Sequence, residues 1–121
     1  MKVCAIDDDP LMLQHLEQML AALGCDVVAA GSVETALRLM SLHRCEAAVV
    51  DVLMPDQDGL NFIMQIRRTR PDLRIVAISG GGRIGAGALL GMADGLGADA
   101  TLAKPFSSSE LETALRPRDG V

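Results

Sequence analysis

Short apolar runs alternate five times with longer segments of helical period, and this alternation restricts the available folds more than any other feature of the chain. Lys2–Ile6 reads as a buried strand. The segment after it places Met12, Leu13, Leu16, Met19, Leu20 and Leu23 at three- and four-residue spacing, an amphipathic helix that Pro10 opens and Gly24 stops. Val27–Ala30 is the second strand, and Ser32 offers an N-cap to a helix carrying Ala36, Leu37 and Met40. Ala47–Val50 is the third strand, with Asp51 at its carboxyl end, and a loop through Pro55 and Gly59 leads to a helix over Leu60–Arg68 that Pro71 closes. Arg74–Ile78 is the fourth strand, followed by Ser79, a Gly-rich stretch and a short helix near Ala88–Leu96. Thr101–Ala103 is the last strand, before Lys104-Pro105, and Ser107 to Glu110 spell a capping box for a final helix ended by Pro117. The expected domain is 1–116, with 117–121 a frayed tail.

Strict strand–helix alternation requires right-handed crossovers between parallel strands, so the predicted fold is α/β, a doubly wound five-stranded parallel sheet with helices on both faces. In such sheets ligands bind outside the carboxyl ends of the strands, where the strand order reverses. Asp7, Asp8 and Asp9 follow the first strand, Asp51 the third, Ser79 the fourth and Lys104 the fifth, so the fold converges all of them on one edge.

Carboxylates held close together repel, and either a raised pKa or a hard cation relieves the repulsion. Asp7, Asp8 and Asp51 look like a Mg²⁺ site, because magnesium takes oxygen ligands, keeps several waters and accepts a phosphate oxygen as a further ligand. Lys104 can set an ammonium against the carboxylate or a phosphate oxygen, and the Ser79 hydroxyl can donate to another. A carboxylate can itself attack phosphorus to give an acyl phosphate, and Asp51 is best placed to do so.

Composition excludes several other classes. The formal net charge of −5 and the presence of only two aromatic residues, Phe62 and Phe106, argue against nucleic acid as a partner, since such modules show a basic face or stacking aromatics. The apolar runs are too short to cross a bilayer and Met1-Lys2 opens no secretory signal, so the expectation is a cytoplasmic protein without membrane contact. Cys4, Cys25 and Cys45 lack C-x-x-C spacing and read as reduced thiols. His15 and His43 read as surface residues, and the cluster Arg67, Arg68 and Arg70 as a solvated helix end that complements the dipole, while Arg83 has two readings, a guide for a phosphodonor to the acidic edge or a residue that keeps the Gly-rich loop soluble.

Ile6-Asp-Asp-Asp-Pro10, Asp51-Val-Leu-Met-Pro-Asp-Gln-Asp-Gly59, Ile78-Ser79, Gly97-Ala-Asp99 and Lys104-Pro-Phe106, in that order, resemble the receiver domains of two-component response regulators over nearly the whole chain. The resemblance implies the flavodoxin-like (βα)5 receiver fold and an Asp51 that accepts phosphate from a histidine kinase or phosphotransfer protein. It also implies direct metal ligation by Asp8, Asp51 and the Leu53 backbone carbonyl, with Asp7 acting through water and Asp9 a bystander. A downstream protein would dock on the helix 4–strand 5–helix 5 face, and Lys104-Pro105 matches a position that is usually cis in the family. Two alternatives are a pseudo-receiver that binds partners without phosphate and a receiver fragment of a longer response regulator. A hydrolase using Asp51 as nucleophile is disfavoured, because Leu53 stands where a second acid is needed and nothing caps a substrate.

Three departures from the family pattern bear on mechanism. Thr101 occupies the position on the last strand where the family carries an aromatic rotor. The segment 80–97 holds eight of the twelve glycines, each of which costs a helix about 0.5–1 kcal/mol relative to Ala, so it reads either as a segment whose shift in order on phosphorylation stands in for the rotor or as a plain flexible loop. Leu53 and Gly81, at positions that orient the attacking water in the family, cannot do so with their side chains, so self-hydrolysis is expected to be unassisted there.

Overall fold

The computed structural model describes residues 1–54, 58–80 and 86–116, except the side chains of Asp58, Ala86, Gly87 and Leu89. Strands β1 (Lys2–Ile6), β2 (Asp26–Ala30), β3 (Ala47–Asp51), β4 (Arg74–Gly80) and β5 (Ala100–Lys104) alternate with helices α1 (Pro10–Ala22), α2 (Val33–Leu42), α3 (Asp58–Thr69), α4 (Ala86–Leu96) and α5 (Ser108–Leu115). The sheet is parallel throughout, in the order β2-β1-β3-β4-β5. The order therefore reverses between β1 and β3, as a doubly wound sheet requires.

Alternation along the central strands builds two cores. Ala48 and Val50 of β3 face a cluster with Ala36 of α2, Phe62, Ile63 and Ile66 of α3, and Ala93 of α4. Ala47 and Val49 face Leu16 and Leu20 of α1 and Leu111, Ala114 and Leu115 of α5. With both faces covered, every residue of β3 is buried, which is why that strand reads as a continuous apolar run rather than an alternating one.

The helix ends follow the sequence signals. The Asp9 side chain caps α1 by accepting from Leu11 N–H at 3.0 Å, and Pro10 stands in the first turn. Gly24, at φ +88, lets Cys25 N–H reach the Leu20 carbonyl and Gly24 N–H reach that of Ala21, a Schellman closure. Gly97 at φ +122 does the same for α4. Ser32 caps α2, and Ser107 with Glu110 forms the reciprocal capping box of α5.

The structure corrects several boundaries. α3 starts at Asp58 and runs to Thr69, α4 starts at Ala86, and β4 extends through Ser79 to Gly80, because Ser79 and Gly80 keep their register against Ala103 and Lys104. Pro55, Gly81, Arg83, the Gly85-Ala-Gly87 stretch in part, Pro117 and the expected tail 117–121 lie outside the described residues.

Candidate functional site

The register carries the acidic residues to one place. Ile6 lies opposite Val50, so Asp7 leaves β1 beside Asp51, and Ile78 lies opposite Asp51, so Ser79 stands one residue further along the neighbouring strand. Carboxylate oxygens of Asp7, Asp8 and Asp51 come within 4.8 Å of one another. Asp7 and Asp51 are buried and Asp8 is exposed, so the group opens to solvent on the Asp8 side.

Lys104 reaches across the sheet edge, with its ammonium 3.0 Å from Asp7 Oδ2 and 3.4 Å from Asp51 Oδ2. Three carboxylates against one ammonium leave two uncompensated negative charges, and the donors are all oxygen, which suits a hard divalent cation. Backbone amides fix the carboxylates: Leu53 N–H donates to Asp51 Oδ1 at 2.8 Å, and Asp9 N–H donates to Asp7 Oδ1 at 2.9 Å. Burial raises the pKa of Asp51 above the usual carboxylate value; the Leu53 amide and Lys104 oppose this, and the Asp7 charge adds to it.

Ser79 is fully buried, and its hydroxyl oxygen has no hydrogen-bond partner among the described residues. Buried hydroxyls are normally paired, so this oxygen is suited to a ligand arriving at the edge, and a phosphate oxygen would satisfy it. Asp51, Asp7, Asp8, Ser79 and Lys104 are thus brought together, with Leu53 beside them. The Leu53 side chain is 43% exposed and lies over Gly80.

Three features were missed or misjudged from the sequence. Asp9 stays outside the carboxylate group, as expected, but it has a structural role the sequence reading missed, because it caps α1 and its amide holds Asp7. Gly59 packs so tightly under the end of β3 that a Cβ there would collide with the Asp51 carbonyl and lie 2.8 Å from Val52 Cα. Only the position of Gly59 at the start of α3 hinted at this. The third correction concerns Arg67 and Arg70, which form no solvated helix end. Arg67 donates to the carbonyls of Gly97, Arg70, Pro71 and Leu73 and pairs with Asp99 at 2.6 Å, while Arg70 binds the Cys45 carbonyl and Asp72.

Other expectations compare as follows. Cys4, Cys25 and Cys45 are free thiols, and burial pushes Cys4 up to about 12. His43 is half-buried with its Nδ1 3.1 Å from the Lys2 ammonium, and exposed His15 lines a groove of about 360 Å³ with Met12, Met19, Lys104, Pro105 and Phe106. Thr101 is exposed on β5, and both aromatics lie elsewhere, Phe62 in the α2–α4 core and Phe106 against the α1–α5 core. The Lys104-Pro105 peptide is cis. No helix among the described residues is long and apolar enough to cross a membrane.

Comparison with known proteins agrees with this geometry. Residues 3–116 match the family model of the response regulator receiver domain. The response regulator MprA of Mycobacterium leprae is 34% identical over 96% of this chain and 50% of its own length. A receiver-domain protein of Clostridium thermocellum superposes with a TM-score of 0.83 at 25% identity, covering 94% of this chain and 90% of that one. A response regulator of Burkholderia pseudomallei, solved with a phosphorylated aspartic acid, a calcium ion and citrate, superposes with a TM-score of 0.82 at 30% identity, covering 95% of this chain and 66% of that one. The chain spans about half the length of the curated relatives it matches. A doubly wound parallel sheet, an acidic cluster at its carboxyl edge and a family match over nearly all of the described residues lead to one conclusion: the chain belongs to the receiver domains of two-component response regulators.

Proposed function

We propose that Asp51 is the phosphoacceptor of this receiver, served by Asp7, Asp8, Ser79 and Lys104, with Mg²⁺ as its cofactor. The observation that carries this is the convergence of three carboxylates within 4.8 Å, at the carboxyl edge of the sheet, on one ammonium. The phosphorylated aspartic acid and calcium ion of the Burkholderia protein support it.

The Asp51 carboxylate attacks the phosphorus of a phosphohistidine on a histidine kinase or phosphotransfer protein. A P–O bond forms, the P–N bond breaks, and its electron pair returns to the departing imidazole. The Leu53 amide holds Asp51 Oδ1 in place throughout. Lys104 faces the other oxygen, ready to follow the charge as it moves onto the phosphoryl group. The Ser79 hydroxyl, unsatisfied beforehand, donates to a phosphoryl oxygen and gains its missing partner. Asp7, Asp8, Asp51 and the Leu53 carbonyl would hold Mg²⁺, which would offset the charge on the carboxylates and on the transferring group. With leucine at position 53, no side chain there orients water for hydrolysis.

The phosphodonor has a seat in the groove between α1 and the β5–α5 loop, which is lined by Met12, His15 and Met19 and opens beside Lys104 and Gly80. Output passes through the α4–β5–α5 face, where a cavity of about 560 Å³ is bounded by Asp94, Thr101, Glu110 and Arg116. Free thiols at Cys4, Cys25 and Cys45 accord with a cytoplasmic setting.

Intact mass after incubation with acetyl phosphate and Mg²⁺ tests the reading. The expected result is one phosphoryl group, labile to hydroxylamine, absent without Mg²⁺ and absent from Asp51→Asn. A folded protein that takes no phosphoryl group would instead be a phosphate-independent interaction domain.

A further inference from the structure

A cavity of about 320 Å³ opens at the amino-terminal edge of the sheet, the end opposite Asp51, and arginines dominate its charge. Glu46 N–H donates to the Lys2 carbonyl at 2.8 Å and Arg74 N–H to the Glu46 carbonyl at 3.1 Å, which draws the starts of β1, β3 and β4 together there. Arg44 reaches the cavity from the turn between α2 and β3, Arg70 from the turn after α3, and Arg74 from the first residue of β4. Glu46 and Asp72 are the carboxylates on its wall, so three guanidiniums meet two acids in a chain whose net charge is −5. The neighbouring cavity of about 560 Å³, which Arg74 also borders, has Asp94, Asp99 and Glu110 against Arg74 and Arg116, the reverse balance.

The guanidiniums of the smaller cavity have donors to spare. Arg74 is half-buried; its Nε donates to the Ala114 carbonyl at 2.9 Å, and its two terminal nitrogens donate to no group among the described residues. Arg70 gives Nη2 to the Cys45 carbonyl at 3.0 Å and pairs with Asp72 at 3.2 and 3.4 Å, which leaves Nη1 over for this cavity. Arg44 is exposed and pairs with no carboxylate among the described residues. The backbone carbonyls at this edge are therefore satisfied by guanidiniums whose forks are not exhausted. The field they set up is visible on Asp72, whose carboxyl is held below its ordinary range by the Arg70 hydrogen bonds first, then by its own amide and by the charges of Arg70 and Arg44.

We propose that this cavity binds a small phosphomonoester, with Arg44, Arg70 and Arg74 on the phosphate and the apolar wall of Met1 and Leu115 against the organic part. Guanidiniums arriving from three segments suit the three free oxygens of a tetrahedral phosphate, whereas a planar carboxylate is served by a single fork. Asp72 holds the place of that anion on Arg70, through bonds that are long for a charged pair, and a dianion with more acceptor oxygens displaces it. The volume matches the lower end of small-molecule sites, about 300 Å³. The site lies a strand's length from the acidic edge and stands whether or not Asp51 accepts a phosphoryl group.

The test is a titration of the full isotope-labelled chain with phenyl phosphate in Mg²⁺-free buffer at fixed ionic strength, followed by amide chemical shifts. Saturable shifts are expected at Cys45, Glu46, Asp72 and Leu115, with a Kd of about 1 mM or below. Arg44→Gln changes an exposed residue and leaves the fold intact, and it weakens binding roughly tenfold, as does Arg74→Gln. Asp72→Asn frees Arg70 and tightens binding by about threefold. That sign separates a phosphate site from a cluster that serves only the fold, where losing Asp72 brings no gain in affinity. Arg44→Gln and Asp72→Asn carry the test if Arg74→Gln does not fold. Shifts confined to Asp51, Leu53 and Lys104, an affinity no greater than that of inorganic phosphate, or an affinity unmoved by Arg44→Gln and Asp72→Asn overturns the proposal.

Discussion

The two ends of the sheet make opposite use of charge. At the carboxyl end, Asp7, Asp8 and Asp51 lie close together with one ammonium on Asp7 and Asp51, and the buried Ser79 hydroxyl has no partner among the described residues. At the amino-terminal end, Arg67, Arg70 and Arg74 each find backbone carbonyls, of Gly97 and Leu73, of Cys45, and of Ala114 respectively, and Asp99 is shared between a guanidinium and an amide. One end is satisfied by the chain's own groups, and the other gathers more carboxylates than its one ammonium offsets. Stability and chemistry are thus separated by the length of five-residue strands such as β3. The same kind of substitution, polar to neutral or apolar, should therefore have opposite signs at the two ends.

The largest effect is expected at the satisfied end. Arg67→Ala strands several carbonyls and the Asp99 carboxylate, and should lower unfolding free energy by about 3 kcal/mol in urea titrations. A loss well under 1 kcal/mol would show that water replaces the guanidinium freely, and would break the contrast between the two ends.

Asp51→Asn comes next, with the opposite sign. Burial raises the folded-state pKa of Asp51 above its ordinary value near 3.8, so the folded protein holds that proton more tightly than the unfolded chain does. In metal-free buffer the wild type therefore loses stability as pH climbs from about 3.8 through the raised value, and the penalty is complete above it. Asparagine does not titrate, so the variant should be more stable by about 1 kcal/mol at neutral pH and no more stable near pH 3.5. Adding Mg²⁺ at neutral pH should narrow or reverse the gap. A destabilised Asp51→Asn in metal-free buffer would mean that the pairing with Lys104 outweighs the crowding.

The smallest effect belongs to Ser79→Ala. Removing a buried hydroxyl that has no partner should leave stability unchanged or raise it by about 0.5 kcal/mol, while slowing adduct formation from acetyl phosphate by roughly tenfold or more. A clear loss of stability would show that the hydroxyl is paired in solution, and would remove Ser79 from the unsatisfied end.

Much of this architecture was legible in the residues themselves. Period and punctuation located the elements, because Pro10, Gly24, Ser32 and Ser107 act through local backbone geometry that is the same in any fold. The acidic edge was legible because each chemical residue stands at or just past the carboxyl end of a strand, and parallel strands all end on one side. The capping role of Asp9 was missed because an acid before a helix in an acidic run carries no mark of which acid will cap, and only the hydrogen bond to Leu11 shows it. Arg67 was misjudged because its acceptors are carbonyls up to thirty residues away, and backbone carbonyls carry no signature in the sequence.

By itself, then, the sequence determined the α/β class, the order of its elements and the edge on which chemistry gathers, since these follow from local period, caps and the handedness of crossovers. Only the tertiary structure decided that Lys104 stands between Asp7 and Asp51, that Ser79 lacks a partner among the described residues, that no side chain fits at Gly59, and that one arginine binds α3 to the α4–β5 turn. Those four depend on distances between residues remote in the chain, which strand register and packing set and no local pattern encodes.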